Sequence, residues 1–311
     1  MSFPNDFDSK IYRDVNKHLI NFTDNELIKH YEYYGYYEGL VSCSISGRND
    51  FINLIKNMNF NYGIEIGPLH SPVLSKGIVN NSKCLDFFSQ DELRENYKND
   101  KNVNINNIMF VDYIMRDIKK YTDIISDKFD ICFSSHNIEH SPCLITFLKN
   151  ISDILIKNGY IFLCIPDYRF CFDTYRNPTT IFDILNAYYS NIDKPTSINR
   201  LEQMFFTTHN NNGDHWLEYE KTFKNQFISL NNKDTFMKER TEIIINNIDN
   251  IKDIINNNNQ YFDSHCWKLN PKIFEHIIEI LSKTNFIDLK LIKIYKTIKN
   301  SNEFYVILQK I

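Results

Sequence analysis

From residue 48 onward the chain alternates short apolar runs with longer amphipathic ones. Residues 61–66, 83–87, 107–112, 129–134 and 160–165 are brief apolar runs that end on glycine, proline or polar residues. They read as buried strands. Between the last two runs, residues 142–156 place Leu144, Phe147, Leu148, Ile151, Ile154 and Leu155 at helical spacing. Strands alternating with helices predict a parallel, doubly wound α/β sheet. The alternation breaks after Asp167 and resumes at Asn270-Pro271, which opens a helix to about Lys283. Residues 286–294 and 303–309 then read as two strands joined by a turn near Lys299-Asn300. Segment 168–265 is therefore predicted to be an insertion, with helical stretches at 179–189 and 243–256.

Residues 1–45 follow a different pattern. Phe7, Tyr12, Val15, Leu19, Leu27, Tyr31 and Tyr34 recur at roughly helical spacing, and Thr23 precedes Glu26 by three residues, a capping-box signature. Gly35 and Gly39 can end or turn short helices. The expected division is a small helical module over 1–45, a linker-like stretch near 42–49, and an α/β domain over 46–311 that ends in a helix and hairpin at 271–310.

Composition changes this picture little. The chain has 311 residues, 42% hydrophobic and 24% charged, enough for one large core without staples. A net charge of −4 gives no electrostatic case for nucleic acid. Seven cysteines form no CxxC pair and several fall inside apolar runs, as expected of buried free thiols in a reducing compartment. The N-terminus shows no apolar segment behind a basic one, and no apolar run approaches a membrane span, so a cytoplasmic protein is expected. Frequent Asn, Ile, Lys and Tyr suggest the mutational bias of an AT-rich genome.

Candidate chemistry collects where the predicted strands end, because ligands in open α/β sheets bind outside the carboxyl ends of strands. Glu65, Gly67 and Pro68 close the first strand. The glycine permits close backbone approach to a ligand, and the acid can orient the loop or accept from an amine. Asp86, with Phe87, closes the second; an acid there can take both ribose hydroxyls of a nucleoside, or be a solvated turn residue. Asp112 and Tyr113 close the third, as acceptor for an adenine amino group and ring partner, or as a helix cap. Ser135 and His136 close the fourth. The absence of GxGxxG disfavours a dinucleotide, and a cofactor without phosphates fits better.

Taken in order, Ile64-Glu65-Ile66-Gly67-Pro68, Asp86, Phe129-Asp130, Ser134 to His140 and Asn158-Gly159 resemble class I S-adenosylmethionine-dependent methyltransferases. The resemblance implies a Rossmann-like, seven-stranded, mostly parallel sheet with one antiparallel strand, over about residues 48–311. Within that family the chain looks closest to members encoded beside glycosyltransferases. Pro166-Asp167-Tyr168-Arg169, Phe172-Asp173, Arg176, Thr179-Thr180, Thr208-His209-Asn210, His215-Trp216 and Asp263 to Trp267 carry that likeness. Leu69-His70 departs from the second glycine that many relatives have. The N-terminal Phe7, Asp8, Tyr12, Asn16, His30, Tyr31, Gly35 and Glu38-Gly39 resemble a short helical module found near glycosyltransferases.

The resemblance implies S-adenosylmethionine as cofactor and a sugar, nucleotide sugar or glycan as acceptor, with glycosyltransferases as candidate partners. Cofactor contacts are expected from Glu65, Gly67, Pro68, Asp86, Phe87, Asp112, Tyr113, Ser135, His136 and His140. Methyl transfer from a sulfonium depends chiefly on alignment, and a sugar hydroxyl gains from a positioned base. His136, His209 and His215 are the candidate bases, with Asp167 to orient the base or touch a sugar hydroxyl. Tyr168, Arg169, Asp173, Arg176, Asn210, Trp216 and His265 are the candidate acceptor contacts, although the aromatics and arginines could equally pack a lid. The histidines of the insertion show no HxH or HxxxH spacing, so no metal is expected. An amino-sugar or small-molecule methyltransferase and a non-catalytic scaffold are the competing readings.

Overall fold

The computed structural model describes residues 3–116, 119–208, 215–216, 219, 229–256 and 261–311, with 229–235 as backbone only. Helices α1 (Ser9–Val15) and α2 (Asp24–His30) precede α3 (Arg48–Asn57). The alternating part follows as β1 (Tyr62–Ile66), β2 (Asn81–Asp86), α4 (Gln90–Tyr97), β3 (Tyr113–Ile114), β4 (Phe129–Ser135), α5 (Leu144–Ile154) and β5 (Leu155–Pro166). The insertion holds α6 (Ile181–Tyr189), α7 (Ser197–Phe206), α8 (Ser229–Asn246) and α9 (Ile248–Asn256). The chain closes with α10 (Pro271–Lys283), β6 (Leu289–Tyr295) and β7 (Glu303–Lys310).

The strands form one sheet in the order β3-β2-β1-β4-β5-β7-β6. Pairing is parallel from β3 to β5, and β7 is antiparallel to both β5 and β6. The doubly wound, seven-stranded architecture expected from the sequence is thus observed. Apolar side chains cover both faces. One face packs Ile64, Ile66, Cys132, Ile161 and Leu163 under α5, α6 and α10. The other packs Ile131, Phe133 and Phe162 under Phe51 and Ile55 of α3. All seven cysteines are buried and free, as their apolar surroundings predicted.

Four elements differ most from the predicted pattern. The third strand is only two residues long and begins after 107–112. The Asp112 carboxylate accepts from the backbone N–H of Cys84 (2.9 Å), so a side chain takes the place of a strand partner there. The fifth strand starts at Leu155 rather than at Tyr160. Leu155 pairs with Phe129, and after a register shift around Asn158, which has φ 63°, pairing with β4 resumes at Tyr160. Helix α7 was not predicted, and of α8 only the last turn was; the signal for α7 is the capping box between Thr196 and Asn199.

At the N-terminus, the capping box at Thr23 forms as expected. Tyr12, Leu19 and Leu27 make a small core of their own. The segment docks on the β6–β7 end of the sheet. The Lys296 ammonium donates to the Gly35 carbonyl (2.9 Å) and sits 4.3 Å from the Tyr31 ring centre, while Lys299 N donates to the Gly39 carbonyl (2.9 Å). No helix among the described residues is long and apolar enough to cross a membrane.

Candidate active site

The strand order reverses between β1 and β4, the place where an open sheet leaves a crevice. A cleft of 1270 Å³ lies there. Its walls include Gly67 to Ser71 after β1, Asp86 to Phe88 after β2, Ser135 to Asn137 after β4, and Glu303 at the head of β7.

The loop after β1 is held from below. The buried Glu65 carboxylate accepts from Val73 N (2.9 and 3.0 Å) and Leu74 N (2.8 Å). Burial lifts its pKa to about 7 against the pull of those N–H groups. Glu65 therefore orients the loop. Gly67 has φ 63°, and a Cβ there would lie 2.1 Å from Asn137 Nδ2, so only glycine fits. Leu69 keeps a left-handed backbone, φ 44°, where a glycine would be at ease. The departure seen in the sequence thus changes the side chain but keeps a glycine-like path.

Asp86 is 7% exposed, and its Oδ1 accepts from Phe87 N (2.7 Å) and Phe88 N (3.3 Å). Burial raises its pKa. Phe87 stacks on Tyr261 with centroids 5.6 Å apart and forms an aromatic wall beside the acid.

At the end of β4, His136 stands at φ 48° with its N–H on the Cys164 carbonyl (2.9 Å). Its ring Nε2 meets Glu303 Oε2 at 2.9 Å. Glu303 is also gripped by both ends of the Arg48 guanidinium and by Tyr305 OH (2.9 Å). Burial alone would raise the Glu303 pKa, but the bonds from His136 and Arg48 hold it at about 2. An ionised Glu303 fixes the proton on Nε2 and leaves Nδ1 as the basic nitrogen. His140 lines the same cleft with Nδ1 on Asp263 (2.9 Å). Burial opposes its charged form, yet Asp263 and Glu139 outweigh burial and lift its pKa to about 9.

The cleft therefore gathers Glu65, Gly67, Pro68, Asp86, Phe87, Ser135, His136 and His140. Other expected residues are elsewhere. Asp112 pairs with Lys83 (2.8 Å), and the Tyr113 hydroxyl donates to Asp127 (2.9 Å) on the underside of the sheet edge. Neither lines the cleft; Met115 does, because the strand runs two residues further than predicted. Asp167 is 0% exposed and fully occupied by Arg169 and by the Thr297 hydroxyl (2.7 Å), so it is not placed to orient a base. Tyr168 and Arg169 lie in the turn that this pair closes.

Arg176 is buried between Asp173 (2.6 Å), Glu202 (3.1 Å) and the His265 carbonyl (2.8 Å) and ties the insertion together. Trp216 stacks on Phe170 at 3.7 Å and donates to the Ser301 carbonyl (2.7 Å), which makes it packing rather than a sugar platform. His215 is buried and away from the cleft lining. His209 and Asn210 lie outside the described residues. His265 and Asp173 bond to each other (2.5 Å) behind His140.

Residues 74–163 match the family described as a methyltransferase domain. The matched stretch runs from just before β2 into β5, within the alternating part of the fold. The sheet order, the antiparallel β7 and a cleft at the reversal in strand order are those that the sequence resemblance implies. Similar solved structures include an S-adenosylmethionine-dependent methyltransferase from Clostridium acetobutylicum, 14% identical over 47% of this chain and 59% of that one, TM-score 0.28. The CurJ carbon methyltransferase is 9% identical over 81% of this chain and 49% of that one, TM-score 0.36. The N-methyltransferase NodS from Bradyrhizobium japonicum is 7% identical over 84% and 93%, TM-score 0.34. The chain thus spans about half the length of the first two. No curated protein matches it in sequence.

Around the cleft, sequence reasoning missed Arg48, Glu303, Glu139 and Asp263 as site residues. The signal for Glu303 is a single acid opening an otherwise apolar strand. For Glu139 it is the run His136-Asn137-Ile138-Glu139-His140, an HxxxH spacing with an acid inside it.

Proposed function

We propose that the protein transfers the methyl group of S-adenosylmethionine to a hydroxyl of a sugar, free as a nucleotide sugar or within a glycan. The observation that carries this reading is the pair His136–Glu303 inside the cleft, 2.9 Å apart. An imidazole oriented by a carboxylate is placed to act as a base on a hydroxyl, which an amine acceptor would need less. The hydroxyl proton passes to His136 Nδ1, the new O–CH3 bond forms, and the sulfonium C–S bond breaks with its electrons left on sulfur. Asp86 takes the ribose hydroxyls, and Phe87 flanks the adenine. The far wall supports a polyhydroxylated acceptor: Tyr188 and Tyr189 offer aromatic faces, and Asn191 and Asp193 offer polar groups.

Calorimetry with S-adenosylhomocysteine tests the cofactor half. Wild type is expected to bind, and Asp86→Ala to bind about 10- to 100-fold more weakly, the worth of lost hydrogen bonds to a charged group. Mass spectrometry of candidate nucleotide sugars after incubation with S-adenosylmethionine tests the acceptor half. Methylation of an amine in place of a hydroxyl would overturn that part of the reading.

A further inference from the structure

Three histidines converge on one buried carboxylate beside the cleft. Glu139 is 1% exposed, and neither of its oxygens has a hydrogen-bond partner. Its Oε1 lies 3.9 Å from His136 Nδ1, 3.8 Å from His140 Nε2 and 4.0 Å from His265 Nε2. These separations are too long for hydrogen bonds. The opposite nitrogen of each ring meets another acid: Glu303 for His136 (2.9 Å), Asp263 for His140 (2.9 Å) and Asp173 for His265 (2.5 Å).

A buried carboxylate is costly to leave unpaired. Two donor atoms, each about 2.1 Å from a shared ion, can stand up to about 4.2 Å apart. The donor atoms of Glu139, His140 and His265 all lie within 4.8 Å of one another, so a small inward turn of the rings completes a set. Carboxylates behind both rings do what the outer partners of metal-bound histidines do: they hold the far N–H and aim the near lone pair.

We propose that Glu139, His140 and His265 hold a divalent transition-metal ion of the Zn²⁺ or Mn²⁺ kind. One carboxylate oxygen with two imidazole nitrogens suits these ions better than Ca²⁺ or Mg²⁺, which prefer oxygen throughout. Three protein donors leave a position open, and His136 lies on the cleft side of Glu139. Ion binding is independent of the methyl-transfer reading. Its catalytic use rests on that reading: an acceptor hydroxyl bound at the open position is more acidic and gives its proton to His136.

The test is titration of the full chain, stripped with a chelator, with Zn²⁺ alone and then Co²⁺ alone. One ion per chain is expected, with visible ligand-field bands for Co²⁺. Asp263→Asn changes a side chain that is 57% exposed, so the fold survives, and it should weaken binding about 10- to 100-fold. Glu139→Gln should weaken it further, while His276→Ala on the exposed face of α10 should change nothing. Failure of the stripped wild type to take up either ion overturns the proposal, and so does equal affinity in wild type, Asp263→Asn and Glu139→Gln. Binding of S-adenosylhomocysteine to the stripped protein is measured alongside. If it binds and no ion does, the metal site fails and the methyltransferase reading stands; the reverse result separates them the other way.

Discussion

The ends of β4 and β5 look alike in sequence and do opposite things in space. Both are apolar runs that stop at polar residues, Ser135-His136 in one case and Pro166-Asp167 in the other. At β4 the polar residues turn into the cleft, with the His136 side chain 35% exposed and its backbone in a left-handed turn. At β5 the carboxylate is 0% exposed and saturated by Arg169 and Thr297. The difference lies in the neighbours. Beside β4 stands β1, across the reversal in strand order, whereas β5 is flanked by β7, whose β6–β7 connection covers its end. Polarity at a strand end thus marks either a site or a buried clasp, and the strand next door decides which.

The comparison breaks first at His136. His136→Ala should lower kcat about 100- to 10,000-fold, the range of a positioned base, with the melting temperature nearly unchanged because the ring is partly exposed. A large loss of stability with intact kcat would reverse the roles assigned to the two ends. Asp167→Asn is the mirror experiment. It leaves the Arg169 guanidinium without its charge partner and should cost about 3–5 kcal/mol in urea unfolding, while the folded fraction keeps its affinity for S-adenosylhomocysteine.

Glu65 sharpens the contrast, because it is a buried acid that supports the site without facing a ligand. Its folded pKa, about 7, lies above the unfolded value of 4.5. The unfolded chain therefore loses its proton first. Relative to Glu65→Gln, wild type should lose on the order of 3 kcal/mol of stability as pH rises from 4.5 to 7, and stay level above that. Urea midpoints across that interval measure it. The smallest effect is expected at Leu69→Gly. Relief of the left-handed strain, about 1–2 kcal/mol, offsets the greater freedom of the unfolded chain and the lost packing near Leu93. Stability should move by about 1 kcal/mol or less, with cofactor affinity preserved.

Much of the cleft lining was legible along the chain, because it is built from residues a few positions past each strand. Glu65, Gly67, Asp86 and His136 follow directly from local pattern, since strands of one parallel sheet end on one edge. Asp112 was misread because its carboxylate substitutes for backbone pairing, which no periodicity reveals. The aromatic and arginine residues of the insertion were misread for a related reason. Arg176 and Trp216 have the chemistry of ligand contacts but are buried against partners 26 to 89 residues away.

The sequence by itself determined the α/β alternation, the buried thiols, the capped N-terminal helices and the acids and glycine at the first strand ends. All of these depend on short-range spacing and local backbone preference. Only the tertiary structure decided which polar strand end is open. It alone joined Arg48 and Glu303 to His136 across 255 and 167 positions, and brought His265 to Glu139. The reason is physical: a side chain's pKa, exposure and ligand capacity are set by what packs against it, and in this fold those neighbours come from the far end of the chain.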